Sequence, residues 1–114
     1  MLAVIFEVHP HPEHRAAYLD WAAELKKELV QMEGFVSIER FQSLTEPDKL
    51  LSLSFCRDEA CLAKWRNLEA HRAAQAAGRR TLVRDYRLRI AEVVRDYGKE
   101  ERAQAPQDSR SAHG

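Results

Sequence analysis

The feature that most constrains the fold of this sequence is an apolar stripe with helical spacing, which follows a short proline-broken apolar run. Large apolar side chains recur along it at intervals of three and four residues: Tyr18, Trp21, Leu25, Leu29 and Met32. The charged residues at 26–28 fall largely off the stripe. Pro12 suits the first turn of a helix, and Gly34 can accept the left-handed backbone that ends one. The pattern predicts an amphipathic helix of about five turns that buries one face.

Four short segments have the composition of β-strands, and they cover residues 2–8, 35–41, 50–56 and 86–94. A turn sequence, Thr45 to Asp48, separates the second from the third, so we expect an antiparallel hairpin there. A second helical stretch follows Asp58, which is a suitable N-cap. The order is therefore β-α-β-β-α-β. It predicts an α+β, ferredoxin-like fold with a four-stranded antiparallel sheet.

Alternation within the hairpin predicts apolar side chains on both faces of this sheet. In its first strand, we expect Val36 and Ile38 on one face, and Phe35 and Phe41 on the other. In its second strand, small hydroxyls such as that of Ser54 alternate with large apolar side chains. One layer of helices covers only one face, and a bare apolar face on the order of several hundred Å² is unusual for a monomer. We therefore expect a homodimer.

Length and composition limit the classes of function. The 114 residues allow one domain, which we place at residues 1–97, followed by a flexible polar tail at 98–114. Lys plus Arg and Asp plus Glu number 18 each, so charge gives no reason to expect nucleic acid as a partner. The longest apolar run is too short to span a membrane, and the N-terminus lacks a signal-peptide pattern. A cytoplasmic protein is expected.

The most informative candidate residues lie in the second helical stretch. Trp65 and His71 are six residues apart, so on a continuous helix they lie about 120° apart. They can meet in one pocket only if the helix is interrupted near residues 66–69. His71 and Gln75 are four apart and share a face. An indole, an imidazole and an amide suit a flat organic ligand; alternatively, Trp65 is a core anchor and His71 a surface residue.

Other reactive side chains give weaker patterns. Metal-ligand residue types occur close together near the N-terminus: His9, His11, Glu13 and His14. The intervening prolines extend the backbone and should splay these side chains, so we expect no metal site. Cys56 and Cys61 match neither a redox nor a zinc motif, and we expect buried, inert thiols. Nucleotide-binding and serine-hydrolase motifs are absent from the sequence.

Three segments together give the sequence a family resemblance. These are MEGFVSIERF, LLSLSFCRDEACLAKWRNLEAHRAAQAAGR and DYRLRIAEVVRDY. In this order they resemble the antibiotic biosynthesis monooxygenase (ABM) family of dimeric α+β barrels, over roughly residues 2 to 97. The resemblance implies two protomers whose sheets pack face to face, each with a cavity between its sheet and its helices.

The resemblance also implies a function. Some family members oxygenate phenols without metal or flavin, because the deprotonated substrate itself activates oxygen. We therefore expect a monooxygenase for a small aromatic or quinol-like molecule, with Trp65 and His71 as catalytic residues. Gln75, Phe41 and Ser54 complete the predicted substrate-binding set.

Two alternatives remain open. One is haem binding and degradation with His71 as the iron ligand, although the first strand lacks the asparagine that the haem-degrading branch needs. The other is a non-enzymatic dimer that binds a small ligand, since this fold hosts many functions.

Overall fold

Among the described residues, the four strands and the first two helices follow the predicted order β-α-β-β-α-β. The computed structural model describes residues 1–75 and 82–113, without the side chains of 70–75 and 113. The strands are β1 Leu2–Pro10, β2 Phe35–Gln42, β3 Leu50–Cys56 and β4 Val83–Glu92. The helices are α1 Arg15–Leu29, α2 Glu59–Gln75 and a short α3 Gln107–His113. A 3-10 turn at Pro12–His14 leads into α1, with Pro12 at its start as expected.

The four strands form one antiparallel sheet in the order β2-β3-β1-β4. This is the ferredoxin-like arrangement that the sequence predicts. One face of the sheet packs against α1 and α2. On β3 the side chains of Ser52, Ser54 and Cys56 point to that face and are buried. We call the opposite face, which lies away from the helices, the outer face.

The outer face carries the apolar side chains that the alternation in β3 predicts. Leu51, Leu53 and Phe55 alternate with the buried serines and are half-buried in the single chain. On the neighbouring β1, Glu7 lies on the same face and pairs with Lys49 and Arg89, each at 3.5 Å. The outer face therefore combines an apolar strip with charged residues, of which Glu7, Lys49 and Arg89 are paired within the chain.

Strand β2 departs from the predicted alternation. Its register with β3 shifts between Phe35 and Ser37, so that Phe35 pairs with Cys56 while Ser37 pairs with Phe55. Such an irregularity adds one residue to a strand and changes which face the following side chains meet. The expectation that Phe35 shares a face with Phe41 is therefore wrong, because a strict two-residue period cannot represent the extra residue.

Two predicted helix boundaries are present. Gly34, just after α1, has a φ of +85°, the left-handed conformation for which glycine is suited. Asp58 caps α2 by accepting a hydrogen bond from the Cys61 N–H at 3.0 Å. That bond, together with one from the Arg57 side chain, lowers the pKa of the Asp58 carboxyl.

Replacing Gly34 by alanine is expected to lower the free energy of unfolding by about 1–3 kcal/mol, because alanine is strained at this φ. A Cβ at this position would also lie 3.0 Å from Cys61 Cβ, so the start of α2 would have to move. Urea denaturation followed by circular dichroism measures the loss. Gly98→Ala is the matched control, because nothing lies within 4 Å of a Cβ placed there. Equal stability of the two variants would contradict the prediction.

The polar C-terminal segment has local order. The Arg102 guanidinium lies 5.3 Å from the centre of the Tyr97 ring and donates a hydrogen bond to Ser109 Oγ at 2.7 Å. Ala105 is buried, and α3 follows it. The segment is thus folded on itself, and its flexibility relative to the domain stays a prediction. Among the described residues, no helix has the length and apolar character needed to cross a membrane.

Candidate functional site

A cavity of about 170 Å³ lies between the sheet and the helices. Two helices supply its roof: Tyr18, Trp21, Leu25 and Leu29 from α1, with Trp65 and Glu69 from α2. The α1 residues are the first four members of the stripe that predicts this helix. Because α-helical residues three and four apart share a face, the same periodicity that forms α1 also directs four side chains into the cavity. Trp65 and Glu69 share a face of α2 for the same reason.

All four strands contribute to the floor of the cavity. The floor residues are Phe6 from β1, Ile38 and Arg40 from β2, Ser52 from β3, and Tyr86 and Leu88 from β4. Register explains this grouping, since Phe6 lies opposite both Ser52 and Leu88, and Arg40 lies opposite Ser52. The Phe6 and Tyr86 rings meet edge to face, with centres 5.6 Å apart. The walls are therefore mainly aromatic and aliphatic, with few polar groups.

Some N–H groups in this wall have no hydrogen-bond partner among the described residues, and a pair of them lies on opposite sides of the cavity. This pair consists of the indole N–H of Trp65 and the Nε–H of Arg40, and both nitrogen atoms are buried. Arg40 is held at its other end, where Nη2 donates to the carbonyl oxygen of Ala22 in α1 at 3.3 Å. A buried donor without an acceptor costs about 1–3 kcal/mol. Buried N–H donors that face a cavity without an acceptor are suited to bind a ligand that supplies one.

The structure brings some of the predicted site residues together and separates others. Trp65 lines the cavity. Ser54 is buried on the helix-facing side of β3, but it is not among the described lining residues; Ser52, two residues earlier, takes that position. Phe41 pairs with Leu51 and lies on the outer face, 42% exposed, so it does not join Trp65.

The side chains of His71 and Gln75 lie outside the described residues, so their predicted roles stay predictions. The backbone of α2 nevertheless bears on one expectation. Helix α2 runs without interruption from Glu59 to Gln75. The break near residues 66–69 that would turn both Trp65 and His71 toward one pocket is therefore not present.

The remaining reactive side chains lie away from the cavity. His9 interacts with Asp48 (3.7 Å) and with Arg84 (3.4 Å). No group of three or more potential metal ligands occurs among the described residues. The Sγ atoms of Cys56 and Cys61 lie 2.6 Å apart, and both residues are buried. Burial, together with the hydrogen bond from Cys61, raises the pKa of the Cys56 thiol to about 12.

Sequence reasoning missed several cavity residues, above all Arg40. A signal was available, because Arg40 shares a two-residue period with Ile38 and therefore lies on the same face as a large apolar side chain. A charged residue on the covered face of a strand is unusual and favours a functional role. Tyr18 and Trp21 were predicted as core residues, and their stripe gave no sign that a cavity lies beneath them.

Comparison with known proteins agrees with this geometry. The sequence profile described as antibiotic biosynthesis monooxygenase (ABM) matches residues 1–77. The chain therefore belongs to the antibiotic biosynthesis monooxygenase family. Over 94 residues it is 44% identical to a protein of Pyricularia oryzae named jasmonate monooxygenase ABM. The matched region covers 82% of this chain but 44% of that relative, so the chain spans less than half of its length.

Solved structures share the fold at low sequence identity. Rv0793 from Mycobacterium tuberculosis has a TM-score of 0.73 at 18% identity, over 85% of this chain and 98% of that one. PA3566 from Pseudomonas aeruginosa has a TM-score of 0.70 at 18% identity, over 82% of this chain and 93% of that one. These likenesses support the α+β fold with its four-stranded antiparallel sheet.

Proposed function

We propose that the protein is a monooxygenase that oxidises a small aromatic or quinol-like molecule in the cavity beneath α1 and α2, without metal or flavin. The observation that carries this proposal is the cavity itself, which has aromatic walls and a buried, unpartnered Trp65 N–H. Family membership supports the reaction class. The relative from Pyricularia oryzae bears the name of a jasmonate monooxygenase, which makes jasmonate a further compound to test.

The size of the cavity supports a ligand with a single ring. Its volume of about 170 Å³ is close to that of an engineered apolar cavity of about 150 Å³ that binds benzene. Pockets for larger ligands have volumes of about 300–1,000 Å³. Haem is far larger than one benzene ring, so the volume favours a small substrate over the haem-degrading alternative.

The proposed reaction balances without an external reductant. A phenol and O₂ give a quinone and water: one oxygen atom is inserted into the substrate, and the other is reduced by the substrate's own electrons. In this scheme the phenolic proton leaves before O₂ reacts, and it later joins the departing hydroxide to form water. The aromatic walls exclude bulk water and hold the ring, and Trp65 offers its N–H to an oxygen atom of the substrate or intermediate.

Oxygen consumption tests the proposal. We expect uptake with at least one compound from a panel of phenols and quinols, or with jasmonate in the presence of an added two-electron donor such as ascorbate, with one O₂ consumed per product molecule. Trp65→Ala should lower the rate by about 10²–10³-fold, the range expected for removing one hydrogen-bond donor to a developing anion. His71→Ala tests the role predicted for His71, which a continuous helix places about 120° from Trp65. His14→Ala is the matched control for the imidazole, because His14 is not among the described cavity residues.

The same measurements distinguish the alternatives. Uptake that is unchanged in both variants would reject the assigned residues. No uptake with any compound, together with ligand binding, would favour the non-enzymatic alternative. A shift of the haem absorption band on adding haemin, abolished by His71→Ala, would favour haem binding.

We also propose that the outer face packs against that of a second copy. Leu51, Leu53 and Phe55 form an apolar strip there, and in a monomer this strip would stay in contact with water. Burying Glu7 beside the strip would cost less free energy than burying an unpaired carboxylate, because Glu7 already pairs with Lys49 and Arg89.

A further inference from the structure

The cavity contains an electrostatic feature that the proposed reaction class does not require. Its described lining includes one guanidinium, from Arg40, and one carboxylate, from Glu69. Glu69 already interacts with another group. Among the described residues, the Arg40 side chain donates its hydrogen bond to the neutral carbonyl of Ala22. Arg40 therefore places a positive charge in the lining of a mainly apolar cavity, with no anionic partner among the described residues.

The two unpartnered nitrogen atoms are both pure donors. An indole N–H and a guanidinium N–H can give a hydrogen bond but cannot accept one. Neither can therefore satisfy the other, and a ligand oxygen that accepts would satisfy both. Arg40 extends from the floor on β2, while Trp65 descends from the roof on α2. In a cavity that fits a single ring, one ligand contacts both walls.

We propose that Arg40 Nε–H and Trp65 Nε1–H form a subsite for an anionic oxygen, so that the substrate is a small organic anion bound through a carboxylate or a phenolate. The inference rests on the proposed function and narrows its substrate class. An anionic acceptor is favoured over a neutral one because hydrogen bonds to a charged oxygen are about twice as strong, and Arg40 supplies the opposite charge. The aromatic walls then hold the ring that carries this group.

Binding of unreactive probes tests the subsite without turnover. Isothermal titration calorimetry of the full chain compares benzoate with benzamide, which has nearly the same shape but no charge. We expect benzoate to bind at least about tenfold more tightly. A second arm compares 4-nitrophenol below and above its own pKa, and the absorption of the bound form reports its ionisation. Tighter binding of benzoate than of nitrophenolate would identify a carboxylate as the group that the natural substrate carries. Tighter binding of nitrophenolate would identify a phenolate.

Variants assign the preference to the two donors. Trp65→Phe keeps an aromatic wall and removes only the N–H, and Arg40→Met keeps the length of the side chain and removes the charge. Each should bring the affinity ratio of anion to neutral probe close to one. Arg66→Met is the matched control, because Arg66 is exposed and lies next to Trp65 on α2 without lining the cavity; it should leave the ratio unchanged.

The subsite proposal would be overturned if charged and neutral probes bound with equal affinity in both arms. It would also be overturned if no probe bound at all, or if the ratio survived both Trp65→Phe and Arg40→Met. If Arg40→Met does not fold, the wild-type ratio and Trp65→Phe still decide the question. Anion-selective binding without oxygen uptake would reject only the monooxygenase proposal, whereas uptake without selectivity would reject only the subsite.

Discussion

Leu29→Ala is expected to lower the free energy of unfolding by about 2–5 kcal/mol. Leu29 is the most deeply buried residue of α1, with 0% of its surface exposed, and its side chain forms part of the cavity roof. Truncation removes apolar contacts and leaves a void that the neighbouring aromatic residues can fill only in part. Urea denaturation monitored by circular dichroism measures the loss.

The control for this substitution lies on the same helix. Leu19 is 38% exposed, so Leu19→Ala should cost less than about 1 kcal/mol. Because Leu29 borders the cavity, the new space should also be open to ligand. A probe one methyl group larger than benzoate should bind more tightly to Leu29→Ala than to the wild type. Equal destabilisation by the two leucine variants would contradict the assignment of Leu29 to the core.

The second large effect is expected at the outer face. Leu53→Glu places a charge in the middle of the apolar strip, so two copies packed through this face would each bury an unpaired carboxylate. Such burial is strongly unfavourable. We expect the wild type to sediment as a dimer and Leu53→Glu as a folded monomer, with circular dichroism showing that the secondary structure is kept.

Leu44→Glu makes the same change where no interface is proposed. Leu44 is 99% exposed in the loop between β2 and β3, so this variant should remain dimeric. A monomeric wild type would contradict the dimer proposal. A Leu53→Glu variant that stays dimeric would place the interface elsewhere.

The parts of the fold that depend on local periodicity were predictable from the sequence. The α1 stripe, its end at Gly34 and the Asp58 cap each involve residues within a few positions of one another, and all are present. The irregularity at the start of β2 was not predictable, because it depends on how two strands pair rather than on either strand alone. For the same reason the prediction that Phe35 and Phe41 share a face was wrong.

The candidate site was predictable only in outline. Trp65 was identified from its helix, and it lines the cavity. Arg40 comes from a different strand, and the lack of a partner for its Nε–H becomes apparent only when β2 is packed beneath α1. The sequence carries the spacing of such side chains. The cavity between these side chains depends on how the helices pack on the sheet, and no single segment of the sequence specifies that packing.

The alternation in β3 bears on how this protein can change during evolution. Ser52 belongs to the cavity floor, while Leu51 and Leu53, its immediate neighbours, belong to the opposite surface. Point substitutions can therefore alter the proposed ligand site and the proposed dimer interface independently. Inserting or deleting a single residue within β3 would exchange the two sets of side chains at once, turning leucines into the cavity and serines outward. We expect homologues to vary freely in residue type along this strand and to keep its length.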